Sequence, residues 1–493
     1  MPVRLNAAAP SGTLRIAIIG AGLGGIGVAC KLKKAGMSDF VIFEKSDGPG
    51  GTWWDNTYPG AACDVPSNFY SYSFEFQPWK RLYATQAEIA AYVQRVIDTY
   101  SIAPHLRLGT AIDSVVWDDA TRTYTVTTTQ GEEHVFDLVV SAVGMLNVPN
   151  YPAWPGLEDF HGPNFHTARW EHEHDLRGKR VAVVGTGSTA AQVVPAVCEI
   201  AEKTYVFQRQ PGWVVPKEER ELTPDELAHF AKPRNVKWER TKTFFVGEKT
   251  GAAFEKSKAN ARLRQTSLDF LDSAISDPEL RKALTPDYPF KCKRVVRSSD
   301  FYAALNSDRA ELVPRAVTRV TENGVVDADG VEHAVDVIVM ATGFEAAKYL
   351  QTIDVTGRNG VRLHEAWGDE PEAFLGISYP DFPNFFMLYG PNSNSPTASI
   401  IFILETQADF VIRQARRLKR KSGASLEVRR GLHSRYNRWL QKRTTSTVWM
   451  TGCTNYQRGP TGRVVTNWPH HALLFWALTK MPTWMSSTTS PSP

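Results

Sequence analysis

Two glycine turns carry the first legible chemistry in this chain. One is Gly20-Ala21-Gly22-Leu23-Gly24-Gly25, and the other is Gly185-Thr186-Gly187-Ser188-Thr189-Ala190. Each follows a short apolar run, Arg15 to Ile19 or Arg180 to Val184, and precedes a helical pattern. In such a turn the first glycine makes the tight bend and the second lets the backbone approach a pyrophosphate. The helix N-terminus then receives the negative charge. One such turn is weak evidence, whereas two in the right setting are much stronger. The residue ending the next strand separates the two ligands. Glu44 and Arg209 stand at the same offset from Gly20 and Gly185. A carboxylate there accepts hydrogen bonds from both ribose hydroxyls of FAD or NAD, and an arginine there pairs the 2′-phosphate of NADP. Two such sites in one chain imply hydride transfer from a nicotinamide to a flavin. The residues by themselves therefore describe an NADPH-dependent flavoprotein.

The elements needed to hold those turns follow in order. Phe40 to Phe43 and Tyr205 to Phe207 are the second strands of the two units, and Asp137 to Gly144 and Asp336 to Thr342 contain further buried strands. Ala111 to Phe136 alternates and is rich in β-branched residues, which predicts a small antiparallel insert. Pro149, Pro152, Pro155 and Gly156 make a stiff linker. Thr223-Pro224 and Asp277-Pro278 start helices within a charged stretch from about Leu222 to Thr285, and Ala398 to Lys421 reads as one long helix. The expected fold is α/β: two Rossmann-like dinucleotide-binding domains, for FAD and NADP, with a helical insert. The expected division is 1–150 for the first part of the FAD domain, 151–222 for the first part of the NADP domain, and 223–311 for the insert and active-site linker. The NADP domain then closes with 312–371 and the FAD domain with 372–493.

Composition narrows the class. Apolar residues make up 42% and charged residues 22%, a globular balance, and a formal charge of +4 is too small to argue for nucleic acid. Met1 to Thr13 reads as a loose lead-in without an apolar signal core, so the cytoplasm is expected. No run is long enough to span a bilayer, and Ala472 to Leu478 reads as a packed terminal helix. Cysteines 30, 63, 198, 292 and 453 form no CxxC pair and no zinc spacing. That sparse, odd set predicts a reducing compartment, with neither a disulfide framework nor a dithiol redox motif. His161, His166, His172 and His174 cluster without a metal-ligand spacing, and no metal is expected.

Residues 50–64 add a longer pattern, Gly50-Gly51-Thr52-Trp53-Trp54-Asp55-Asn56-Thr57-Tyr58-Pro59-Gly60-Ala61-Ala62-Cys63-Asp64. It resembles the [AG]GxWxxxx[FY]P[GM]xxxD fingerprint of type I Baeyer–Villiger monooxygenases. Phe160, Gly162, His166 and Trp170 match that family's FxGxxxHxxxW, with Glu171 where Pro or Asp is usual. Arg180 to Pro195, Phe290 to Arg294 and Asp336 to Phe344 resemble further family segments, so the resemblance runs from about residue 15 to 470.

The resemblance implies an enzyme that uses NADPH and dioxygen to insert one oxygen atom beside a ketone carbonyl, through a C4a-peroxyflavin. It places FAD on Gly20, Gly22, Gly25 and Glu44, with Thr52, Trp53, Asp64 and Tyr70 near it. It places NADP on Gly185, Thr186, Gly187, Ser188 and Arg209, with Lys293 near its phosphate and Trp449 covering it. Arg294 becomes the active-site arginine and Asp64 the acid that positions it. A guanidinium suits that task, because it stabilises an anion without acting as an acid. Two enzymic rivals stand beside this reading: a flavin monooxygenase oxidising nitrogen or sulfur, and an NADPH oxidase or electron-transfer flavoprotein. A scaffold that binds nucleotides without turnover is a third. His166 is expected to be a linker hydrogen-bond residue, and the basic block Arg413, Arg416, Arg417, Lys419, Arg420 and Lys421 a solvated helix end.

Overall fold

A computed structural model describes residues 13–250, 257–421, 423–453 and 455–490. Most of the lead-in expected over Met1 to Thr13 lies outside the described residues.

Ile16–Ile19, buried at all four positions, is the central strand of the first sheet. Such a run suits a parallel sheet covered on both faces, where each fully buried aliphatic side chain contributes roughly 1.5–3 kcal/mol. Phe40–Phe43 pairs on one side and Leu138–Ser141 on the other, both parallel. Leu106–Arg107 extends one edge, and Phe385–Met387, from far along the chain, forms the other. Helix Leu23–Lys34 packs between this sheet and helix Ile400–Lys419.

The second sheet repeats the plan. Arg180–Val184 is central, with Lys203–Phe207 and Val337–Met340 on its two sides, all parallel. Ala310–Val313 and Asn164–His166 form its edges. The likeness extends to the strand entrances. Arg15 grips Asp137 with Nη2–Oδ1 at 2.8 Å and Nε–Oδ2 at 3.2 Å, and Arg180 grips Asp336 at 2.8 and 3.3 Å. In each pair the backbone N–H of the arginine also donates to the same carboxylate, at 2.8 Å. These paired forks fix the register of the central strand against the strand that follows each acid.

Ile112–Asp118, Thr123–Thr128 and Glu133–Phe136 form the expected antiparallel insert, joined by Asp354–Thr356 in parallel. A second antiparallel unit, Val317–Thr321 with Gly324–Asp327 and Glu332–Ala334, was not anticipated from the sequence. The charged stretch forms helices Pro224–Phe230, Pro233–Thr250, Lys258–Ala274 and Pro278–Leu284. Thr223 and Asp277 cap two of them, accepting from the N–H groups of Glu226 and Glu279. Helix Ala472–Thr479 buries Ala472, Phe475 and Thr479 but leaves Leu473, Leu474 and Trp476 exposed, so it is packed on one side only.

One cysteine expectation is corrected. Cys292 and Cys453 are disulfide-bonded, with Cα atoms 6.3 Å apart. Their separation of 161 residues hides the pairing from any local spacing rule. Cys30, Cys63 and Cys198 are buried free thiols.

Candidate active site

The first turn is tight because of what surrounds it. Gly20 has φ +104°, and a Cβ there would lie 2.8 Å from the Ala142 carbonyl oxygen. A Cβ on Gly25 would lie 1.9 Å from the Gly20 carbonyl oxygen, so the first helical turn seats directly on the bend. Gly22 and Gly50 form a parallel bridge, which brings the 50–64 loop against the turn. Glu44 is 6% exposed, and its Oε2 accepts from Ala21 N at 2.7 Å while Oε1 accepts from Ser46 N at 3.0 Å. Each carboxylate oxygen keeps a lone pair for a ribose hydroxyl. Thr52 and Trp53 begin the short helix Thr52–Asp55, and Trp53 Nε1 donates to the Tyr70 hydroxyl at 3.0 Å. Burial holds the Tyr70 phenol well above its usual range, so this hydroxyl stays protonated.

The second turn repeats the bend in a more open setting. Gly185 has φ +125°, and a Cβ there would lie 2.4 Å from the Ala341 carbonyl oxygen. Gly187 differs: its φ is −79° and no atom lies within 4 Å of where a Cβ would be. Packing therefore gives no reason for glycine there. What a Cβ would obstruct is the approach of a ligand to the N-terminus of helix Ser188–Ile200, as a pyrophosphate requires. Thr186 Oγ1 donates to the Gln210 carbonyl at 3.2 Å. The Lys293 amine donates to the Gln210 side-chain oxygen. Burial and then the charge of Arg209 lower the pKa of Lys293. Two cations thus converge beside this turn, an arrangement that fits an anionic group such as a 2′-phosphate.

Asp64 and Arg294, 230 residues apart, meet with Oδ2 and Nη2 2.6 Å from each other. Burial alone would raise the Asp64 carboxyl, but the Arg294 guanidinium outweighs it and holds the acid below its usual range. The Asp64 charge, in turn, raises the pKa of Arg294. The arginine side chain is 51% exposed and its partner 19%. Tyr389 and Tyr456 also act electrostatically on Arg294. Tyr389 donates from its hydroxyl to Asn394 Oδ1 at 2.7 Å. Downstream of Arg294, Val296–Arg297 pairs in parallel with Val214–Val215 and anchors the segment to the second unit.

A clasp unseen in the sequence joins the two units beside Asp64. Gln192, on helix Ser188–Ile200, accepts from the Tyr58 hydroxyl at 2.8 Å and donates to the Ala62 carbonyl at 2.9 Å. Gly60 allows this docking, since a Cβ on it would lie 2.5 Å from the Gln192 carbonyl oxygen. The second fingerprint is held by close local packing. A Cβ on Gly162 would lie 2.2 Å from the Asp336 carbonyl oxygen, and Trp170 packs edge-on against Phe165. His166 is buried, and its Nδ1 accepts from Ala168 N at 3.0 Å. Burial pushes its pKa down to about 4, so it stays neutral.

Trp449 is 2% exposed and packs with Val448, Met450 and Val464. Through Asn455, which donates to the Trp449 carbonyl at 3.2 Å, its turn lies against Cys292, the residue before Lys293. Of the clustered histidines, His172 bonds Thr57 and His174 pairs with Glu171 on the surface. Glu171, Glu173 and His174 bring ligand atoms within 4.8 Å of one another, the one such group among the described residues.

The model of the pyridine nucleotide-disulphide oxidoreductase family matches residues 17–243. A Baeyer–Villiger monooxygenase of Pseudomonas aeruginosa is 38% identical over 471 residues, covering 94% of this chain and 89% of that protein. The chain belongs to the Baeyer–Villiger monooxygenases. Among solved structures, cyclohexanone monooxygenase from Rhodococcus sp. Phi1 bound to NADP+ superposes with a TM-score of 0.88 at 29% identity. That match covers 97% of this chain and 99% of the other. OTEMO in complex with FAD and NADP gives 0.87 at 25% identity, covering 98% and 100%. This Baeyer–Villiger monooxygenase is accordingly an FAD- and NADPH-dependent enzyme of the two-sheet α/β class. Among the described residues, no helix is long and apolar enough to cross a membrane.

Proposed function

We propose that Arg294, held by Asp64, is the catalytic group for insertion of one oxygen atom beside a ketone carbonyl. A ketone, dioxygen, NADPH and a proton become an ester or lactone, NADP+ and water. The observation that carries this assignment is the 2.6 Å contact of Asp64 with a guanidinium whose other face stays open.

FAD, reduced by NADPH, supplies the activation of dioxygen when bound. Gly20, Gly22, Gly25 and Glu44 hold its adenosine end, and Trp53 and Tyr70 lie along the adjoining loop. Arg209 and Lys293 hold the NADP phosphate, while Thr186, Gly187 and Ser188 receive the pyrophosphate at the helix N-terminus. Arg294 faces the ketone. As the carbonyl is attacked, its oxygen gains negative charge, and a fixed guanidinium stabilises that charge. Arginine does not lose its proton at working pH, so it provides the field without quenching a nucleophile. Asp64 removes the rotational freedom of the guanidinium and keeps it aimed.

Replacing Arg294 with Ala tests the assignment. Removing one preorganised donor typically costs about 3–4 kcal/mol, roughly a hundred- to thousand-fold in rate. Ester formation from a ketone panel should fall by that factor while NADPH oxidation continues and releases hydrogen peroxide. Undiminished ester formation in the variant would remove Arg294 from catalysis. Retained sulfoxidation beside lost ester formation would mark the arginine as specific to carbonyl chemistry.

A further inference from the structure

The Cys292–Cys453 disulfide lies where the two cations of the site begin. Cys292 directly precedes Lys293 and Arg294, and Cys453 follows the Trp449 turn on the C-terminal loop. Downstream, Arg294 is fixed by the pairing of Val296–Arg297 with Val214–Val215. Upstream, the backbone runs against local preference, because Lys291 is a non-glycine residue at φ +69°. Such a conformation persists only where the surroundings overdetermine it.

The surroundings here are the bridge and its packing. Trp213, Tyr288, Phe290 and Cys292 form a buried apolar cluster against which Cys453 packs. The Lys293 amine sits 4.9 Å from the centre of the Tyr288 ring in that cluster. On the other side of the bond, Gly452 at φ +68° approaches Pro289, and a Cβ would lie 3.1 Å from the proline Cδ. Asn455 donates to the Trp449 carbonyl at 3.2 Å and reaches Cys453 Sγ at 3.5 Å. The loop holding Tyr456, whose side chain acts on Arg294, is thereby tied to the segment holding Arg294 itself.

We propose that Cys292 and Cys453 are positioning residues. Their bond locks the Lys293–Arg294 segment to the C-terminal loop, so that oxygen reaches the ketone instead of leaving as hydrogen peroxide. Reduction by a dithiol adds two electrons and two protons to the bond, gives two thiols, and oxidises the reductant to a cyclic disulfide. The loosened segment then aims Arg294 poorly, and NADPH, a proton and dioxygen yield NADP+ and hydrogen peroxide. This inference rests on the catalytic reading of Arg294.

The test uses the flavin-loaded enzyme with and without dithiothreitol, beside the Cys292→Ser/Cys453→Ser double variant. Non-reducing peptide mapping by mass spectrometry should find Cys292 and Cys453 linked. Hydrogen exchange should quicken over residues 289–297 and 449–457 on reduction. Ester formed per NADPH should fall roughly tenfold, the scale expected of a modest misplacement, with peroxide rising to match. The double variant should behave like the reduced enzyme and ignore dithiothreitol. Unlinked cysteines in the native enzyme would overturn the proposal. So would a reduced enzyme that melts earlier but keeps its ester-to-peroxide ratio, because the bond would then serve stability alone. Exchange and peptide mapping do not depend on Arg294 chemistry. If Arg294→Ala still forms ester, the catalytic reading fails while those two measurements still report on the tether.

Discussion

At the first glycine turn the helix presses onto the bend, Gly25 against the Gly20 carbonyl, and Glu44 is buried with two backbone partners. At the second turn Ala190 replaces the third glycine, Gly187 has open space before it, and Arg209 is exposed. The two units share the order of four strands and even an Arg–Asp fork, yet the Gly51 backbone covers the first turn and the second lies open. The difference suits the proposed placing of flavin on the first turn and nicotinamide nucleotide on the second. A flavin is kept through many cycles and can be walled in. A nicotinamide nucleotide is consumed each cycle and needs a way in and out.

The strongest way to break this comparison is to add one methyl group to each turn. Gly25→Ala puts a Cβ where the Gly20 oxygen already sits, and overpacking of this kind costs roughly 1–3 kcal/mol. The variant should purify with little or no flavin, read from the visible absorbance relative to protein. Gly187→Ala should keep its fold and flavin and only raise the KM for NADPH several-fold. Loss of flavin in both variants would end the distinction.

Acid should weaken the second unit. His166 ends a strand of that sheet, and burial depresses its imidazole from 6.5 to about 4. Between those values the unfolded chain binds a proton that the native chain does not. Stability is therefore full above about pH 6.5 and declines as pH falls toward 4, by up to about 3 kcal/mol. Melting temperatures at pH 7 and 4.5 check this, and His166→Asn should show a smaller drop between the two.

Arg209→Ala sharpens the contrast in charge. Losing a charge-assisted bond of about 1.5–3 kcal/mol should raise the KM for NADPH roughly ten- to a hundred-fold. NADH use and flavin content should not change. Steady-state kinetics with both nucleotides decide it.

Much of this was legible locally. The turns, Glu44, Arg209 and the caps at Thr223 and Asp277 follow from short-range rules, because each residue acts on neighbours a few positions away. Arg294 was not readable as catalytic from spacing, since Lys291, Lys293 and Arg297 make the same stretch look like a solvated basic face. Its meaning comes from Asp64, which only the fold brings near. The Gln192 clasp, the Asp137 and Asp336 forks and the Cys292–Cys453 bond share that property. Each needs two remote segments to meet, and nothing in either segment names the other. The Arg15 and Arg180 forks left the one usable trace, since both arginines stand at the same place before their glycine turns.

The Gln192 clasp also limits how the enzyme can be rebuilt. A chimera that borrows another protein's nicotinamide unit would replace helix Ser188–Ile200 and, with it, the amide that holds Tyr58 and Ala62. Asp64 lies just beyond Ala62, so a graft lacking that amide would bind its nucleotide and still leave the acid out of register with Arg294. Cofactor exchange by module swapping therefore has to carry Gln192 across the splice.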